Sequence, residues 1–269
     1  MIIKKQKNNT INPNEQITLT KNNHRIQITY IKNKPKDFPI KKLNNNQYIY
    51  DHHNYIFQHK KTRKHNNSNY VSSQKLYTLI MFNFTGSTHN EYSVTLTYKH
   101  NMIDPKQLTK DFNQLIRKLK KIYPNLGYIR INELQSRNSF HIHLLLKNTP
   151  HLTNLKIQNL WIYGLTHTKQ IQNQIEVNKI ANYFKYSPNT KNPKKIKKAK
   201  LFQQLPSGTN YFSKSKNIKY PMKQKTSYQD GIHYINKNNY KLIDQKTFNI
   251  INTNNNQCVN QITKQTYIK

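Results

Sequence analysis

The clearest pattern of apolar and polar positions lies between Tyr92 and Tyr186. Residues alternate over YSVTLTY (Tyr92 to Tyr98), which is rich in β-branched side chains, so this segment predicts a strand. Leu108, Phe112, Leu115, Ile116, Leu119 and Ile122 then recur at three- and four-residue steps. With Pro105 suited to a first turn and Pro124 closing the run, they predict a helix. LGYIRINEL (Leu126 to Leu134) and FHIHLLLK (Phe140 to Lys147) predict two more strands, joined as a hairpin by the polar loop QSRNS. A helix follows around Thr153 to Trp161, with Thr153 as its N-cap, and Gly164 breaks it. LTHTKQI predicts a fourth strand. A last helix runs from about Ile175 to Tyr186, with Val177, Ile180, Ala181 and Phe184 as its apolar stripe and Pro188 opposing continuation.

The order β, α, β, β, α, β, α specifies an α+β fold, an antiparallel central β-sheet with packed helices of the split βαβ kind. The pattern weakens on both sides. Residues 1–75 mix short alternating segments (RIQITYI, QYIYDHHNYIFQH) with Asn/Lys tracts and predict a basic N-terminal region with short strands. Residues 76–191 form the predicted central domain. Residues 192–269, mostly Asn, Lys and Tyr without a repeat, predict a basic C-terminal extension.

Charge narrows the choice of partner. The 269 residues carry 45 Lys+Arg against 10 Asp+Glu, a formal net charge of +35. A field of that sign concentrates phosphate backbones and releases their counterions, so it favours nucleic acid over a small acidic substrate. Part of the Lys and Asn content reflects an AT-rich genome, which discounts the size of the charge more than its sign. KKTRK (Lys60 to Lys64) and KNPKKIKKAK (Lys191 to Lys200) are expected to be solvated and to add salt-sensitive affinity. No apolar run approaches the roughly 20 residues of a membrane span, and the N-terminus lacks a signal-like apolar region. A soluble, unexported, cytoplasmic protein is expected, or a stromal one if an organellar plasmid encodes it. Cys258 is the single cysteine, which excludes an internal disulfide and a Cys-based zinc site.

Candidate chemistry centres on SFHIHLLL. Alternate side chains of a strand share a face, so His141 and His143 point the same way and could hold a divalent cation. An H-x-H alone is a weak signal, and an exposed pair on a sheet surface gives the same spacing. Glu133 ends the preceding strand, eight positions before His141, and a short hairpin could bring all three together. His, His and carboxylate suit Mg²⁺ or Mn²⁺ when a phosphate oxygen completes the shell, although imidazoles also accept Zn²⁺ or Ni²⁺. A salt bridge from Glu133 to Arg130 or Arg137 is the simpler alternative. Tyr183 and Tyr186 lie three apart on the last helix and could offer a nucleophile, activated by a cation and by Lys185 or Lys179. They could equally be ordinary surface tyrosines. His52, His53, His59 and His65 lie in a polar basic tract and are expected to be solvated.

The succession VTLTY, NELQSRNSFHIHLLL, LWIYGLTHT and ANYFKY resembles the HUH endonucleases, in particular rolling-circle replication initiators of plasmids and small phages. The resemblance covers about Tyr92 to Lys191 and extends through NYFSKSKNIKYP (Asn210 to Pro221). It implies an HUH nuclease fold with Thr95 to Thr97 in a core strand. It also implies a Mg²⁺ or Mn²⁺ site at Glu133, His141 and His143, and a nucleophilic Tyr186 directly after Lys185. Two departures stand out: Asn189 replaces a frequent second lysine, and Asn182 occupies a position often Tyr or Glu, with Tyr183 one place later. Tyr183 is therefore the alternative nucleophile. The implied reaction is nicking and rejoining of single-stranded DNA at a replication origin through a phosphotyrosine. No G-x-x-x-x-G-K-[ST] loop is present, so the helicase and the polymerase are expected to be separate partners. Alternatives are a transposase or relaxase using the same site, or a basic nucleic-acid-binding protein without catalysis.

Overall fold

The structure is a computed structural model and describes residues 2–6, 10–33, 40–42, 47–50, 55–58, 65–185, 204–206, 209–251 and 255–269. In chain order it opens with β1 (Ile2–Gln6), β2 (Gln16–Lys21) and β3 (Arg25–Ile31), followed by β4 (Ile40–Lys42), β5 (Gln47–Tyr50) and β6 (Tyr55–Gln58). Helix α1 (His65–Asn83) leads into β7 (Tyr92–Leu96), α2 (Pro105–Ile122), β8 (Gly127–Leu134) and β9 (Phe140–Lys147). Then come α3 (Asn154–Leu160), β10 (Thr166–Gln170), α4 (Gln174–Tyr183) and β11 (Phe212–Lys214). β12 (Met222–Ser227), α5 (Tyr228–Lys237), β13 (Lys241–Ile251) and β14 (Cys258–Ile268) complete the chain. The fold is α+β with antiparallel sheets, as the pattern requires.

Two compact units emerge, Lys64–Tyr220 and a second made of Met1–Arg63 with Pro221–Lys269. The central unit holds a five-stranded sheet in the order β10-β7-β9-β8-β11, antiparallel throughout. Strand alternation divides its core in two. Val94, Leu96, Ile142 and Leu144 face α2 and α3, where Leu108, Phe112, Leu115, Leu119, Ile157 and Trp161 bury the predicted stripes. Ile129, Ile131 and Leu145 face the other way, toward α1 and α4, where Leu76, Leu79, Ile80, Val177, Ala181 and Phe184 are buried.

The helix ends follow capping chemistry. Asp104 accepts from Lys106 N ahead of Pro105, Thr153 accepts from Lys156 N as expected, and Asn173 accepts from Glu176 N. Gly164 has a further role: a Cβ there would lie 2.4 Å from Thr97 O, so only glycine lets this turn approach β7. Helix α4 ends at Tyr183 with Phe184 as its C-cap, short of the expected Tyr186, and Tyr186 lies outside the described residues.

The second unit departs from the expectation of separate extensions at residues 1–75 and 192–269. Its six-stranded antiparallel sheet has the order β1-β13-β14-β3-β2-β12, so strands from the two ends of the chain interleave. The register is long-range, with Ile28 opposite Gln265 and Leu19 opposite Gln224. Ile17, Leu19, Ile26, Ile28 and Tyr30 turn one face inward against Ile235 of α5 and Tyr267. The predicted segment RIQITYI is β3, and QYIYDHHNYIFQH supplies β5 and β6, which pair with each other. Residues from 65 onward belong to the central unit as α1, which the local pattern did not predict. His65 is in α1, whereas His52, His53 and His59 lie outside the described residues. Most of KKTRK and all but the end of the tract after Pro193 also lie outside them. Among the described residues no helix is long and apolar enough to cross a membrane.

Candidate metal centre

The site is built by the register of one hairpin. β8 and β9 pair so that Glu133 stands opposite His141 and Ile131 opposite His143. Because facing residues share a side of the sheet, Glu133, His141 and His143 all project from the face that α4 covers. The connecting loop fixes this register. Gln135 N donates to Ser139 O at 3.0 Å, and Asn138 N to Gln135 O at 2.9 Å. Asn138 takes a left-handed φ of 59°, which asparagine tolerates better than most residues. Buried Ser139 accepts from Met102 N through its hydroxyl at 3.0 Å, tying the loop to the β7–α2 connection.

The three side chains converge. His143 Nε2 lies 2.6 Å from Glu133 Oε2, and its Nδ1 lies 3.4 Å from Thr95 Oγ1 on the neighbouring strand β7. The two imidazole rings are 5.1 Å apart. One ligand atom from each of Glu133, His141 and His143 falls within 4.8 Å of the others. His141 Nε2 is buried without a hydrogen-bond partner, an expensive state for a polar atom unless something else binds it. Burial foremost, and then the neighbouring His143, lower the His141 pKa to about 4 against the opposing pull of Glu133. The ring is therefore neutral at physiological pH, the form that offers a lone pair to a cation. Two imidazoles and a carboxylate fit a divalent metal, and the unbonded nitrogen argues for one.

Aromatic side chains wall the cluster. Tyr183 directs its hydroxyl at Glu133, 3.4 Å from Oε2 and 3.5 Å from Oε1. Burial, followed by the charge of Glu133, raises its pKa to about 12. Phe184 packs its ring 5.1 Å from His143 and 4.9 Å from Tyr183. Its carbonyl accepts from Tyr211 OH at 3.0 Å, which holds the end of α4 near the sheet. The Tyr211 phenol is itself pushed well above its usual pKa, chiefly by burial.

Among the residues singled out from the sequence, Glu133, His141, His143 and Tyr183 are brought together. Lys185 is placed elsewhere: its ammonium sits 5.1 Å over the ring of Tyr77 in α1. Tyr186 lies outside the described residues. Arg130 is excluded as the partner of Glu133 because alternation sends it to the opposite face, where Nε donates to Asn132 Oδ1 at 2.8 Å. Arg137 donates instead to Gln135 Oε1 and Tyr98 O, at 3.1 and 3.3 Å. The contacts of Thr95, Phe184 and Tyr211 went unread in the sequence. Thr95 was legible in principle, since it stands opposite His143. Tyr211 comes from far along the chain and carries no local signal beyond its place in NYFSKSKNIKYP.

No curated protein and no solved structure matches this chain. Residues 91–191 match the family model for the replication-associated protein ORF2. That span runs from the start of β7 past the end of α4 and takes in Glu133, His141, His143, Tyr183, Lys185 and Tyr186. The match supports the role of a replication initiator acting on DNA.

Proposed function

We propose that the protein is a replication initiator of the HUH endonuclease type, which nicks and rejoins single-stranded DNA at an origin. One observation carries the reading: Glu133, His141 and His143 converge beneath a tyrosine hydroxyl, inside the span that matches the replication-associated family. The three side chains would hold Mg²⁺ or Mn²⁺, and a cation bound there supplies electrophilic charge to a non-bridging oxygen of the scissile phosphate. Thr95 and the β8–β9 register orient His143, and burial keeps His141 neutral.

The chain's own nucleophile is a phenol near the end of α4. By the family resemblance this is Tyr186. Its oxygen bonds to phosphorus, the P–O3′ bond breaks, and the 3′-oxygen departs and takes up a proton. The 5′-phosphate stays ester-linked to the tyrosine. Attack by a free 3′-hydroxyl reverses the step and joins strands. In-line attack needs an accessible phosphate, so the DNA must be single-stranded or extruded at that point. A separate helicase would expose it. A second reading makes Tyr183 the nucleophile, favoured by its hydroxyl 3.4 Å from Glu133.

The test is incubation of the full chain with a pool of labelled single-stranded oligonucleotides in Mn²⁺ or in chelator, scored on a denaturing gel for protein-linked DNA. The expected result is a metal-dependent linked product that is lost in Tyr186→Phe, with DNA binding retained, and kept in Tyr183→Phe. The reverse pattern selects the second reading. Cleavage without any linked product in either variant or the parent would contradict both.

A further inference from the structure

The opposite face of the same sheet carries a second cluster that the metal centre does not use. Alternation turns Tyr128, Arg130 and Asn132 of β8 away from Glu133 and toward α2. Arg130 is only 5% exposed, and among the described residues no carboxylate pairs with it. Nε donates to Asn132 Oδ1 at 2.8 Å, Nη1 reaches Thr109 Oγ1 at 3.5 Å, and the guanidinium carbon sits 4.5 Å over the Phe112 ring. A guanidinium has five N–H donors, so these contacts leave part of the fork unused. It lines a cleft of about 620 Å³ whose polar walls include Thr109, Asn132, Asn210 and Ser213. A buried cation without a counter-charge is unfavourable, and an anion entering that cleft would relieve it.

The cleft has a basic approach. A second cleft of about 670 Å³ shares Lys106, Thr109, Asn113 and Tyr128 with the first and adds Lys110, Arg117 and Lys120. Residues 106, 110, 113, 117 and 120 follow one another at four- and three-residue steps, so they form one exposed stripe along α2. At 1.5 Å per residue the stripe is about 21 Å long, comparable with about six phosphates spaced at about 3.4 Å along a strand. The acids nearest in sequence are committed elsewhere: Asp104 caps the helix, and buried Asp111 accepts from Tyr98 and Gln107. A string of cations leading into an uncompensated arginine suits a polyanionic backbone better than a lone phosphate, and Tyr128 offers an aromatic surface beside it.

We infer that the α2 face is a second nucleic-acid site, back to back with the metal cluster across the sheet. In it Arg130 grips one backbone phosphate, and Lys106, Lys110, Arg117 and Lys120 track those that follow. This inference shares with the proposed function only the premise that the partner is nucleic acid, and it needs neither metal nor cleavage.

The test measures binding of the full chain in chelator, by fluorescence anisotropy with a labelled single-stranded oligonucleotide and with the duplex of the same sequence, over a series of salt concentrations. In the triple variant Lys110→Gln, Arg117→Gln, Lys120→Gln, the slope of log affinity against log salt should become shallower by about 2 to 3 for at least one of the two DNA forms. Affinity should fall about tenfold or more near physiological salt. The matched triple Lys223→Gln, Lys225→Gln, Lys241→Gln, which removes the same charge from exposed positions of the other unit, should lose much less. Arg130→Lys, checked for an unchanged melting temperature, should weaken the same DNA form although the charge is kept. An unchanged slope in the α2 variant, or an equal loss in the matched control, would overturn the inference. So would an effect seen only in competition by inorganic phosphate, with oligonucleotide binding intact. Because the measurement runs without metal, failure of the nicking reaction would leave its outcome unaffected.

Discussion

His141 shows how one side chain ties stability to function. Its imidazole is held at about 4, chiefly by burial, against an ordinary value near 6.5. Between those values the unfolded chain binds more protons than the folded one, so this group makes stability rise with pH. Its penalty is absent above about 6.5 and grows as pH falls toward 4. In chelator, the urea midpoint should therefore drop as pH is lowered from 7 to 4.5, and His141→Gln should flatten part of that drop. Identical profiles for the two proteins would contradict the assignment. Gly164 makes a steric prediction at the same scale. With Thr97 O only 2.4 Å from the position of an added Cβ, Gly164→Ala should destabilise the fold. The expected cost is about 1 to 3 kcal/mol by denaturant unfolding, as for other overpacked sites.

At the scale of elements, local pattern and long-range pairing separate cleanly. The stripe of α2 was legible because Leu108, Phe112, Leu115, Ile116 and Leu119 face one core and nothing else. Leu115→Ala should accordingly cost about 2 to 5 kcal/mol in a denaturant titration, with helix content otherwise retained. The β8–β9 hairpin was legible too, and with it the shared face of Glu133, His141 and His143, since strand parity follows from sequence position once the strands are identified. Helix α1 was not. Its first half is polar, and consecutive Leu79, Ile80, Met81 and Phe82 are all buried, so no apolar stripe marks it. The edge strand β12, MKQKTS, has no apolar alternation and is defined by pairing with β2. Tyr211 likewise reaches the end of α4 through tertiary folding that no local signal announces.

At the scale of the whole molecule, the two ends of the chain are parts of one sheet. β13 and β14 lie between β1 and β3, so residues 241–269 are structural elements and not a dispensable basic tail. Deleting them should remove the partner of β3 and collapse amide protection over Arg25–Ile31 in a hydrogen-exchange measurement. Protection that survives the deletion would contradict the pairing. The excess of positive charge, +35 over the chain, suits a protein whose central sheet presents a metal-ligand cluster on one face and a basic stripe on the other. Everything proposed about catalysis depends on the first of these. The most direct measurement is a Mn²⁺ titration of the full chain, read by electron paramagnetic resonance. One saturable site per chain is predicted, with affinity reduced about tenfold or more in Glu133→Gln, His141→Gln and His143→Gln alike. Saturable binding that is indifferent to all three substitutions, or no saturable binding at all, would contradict the account.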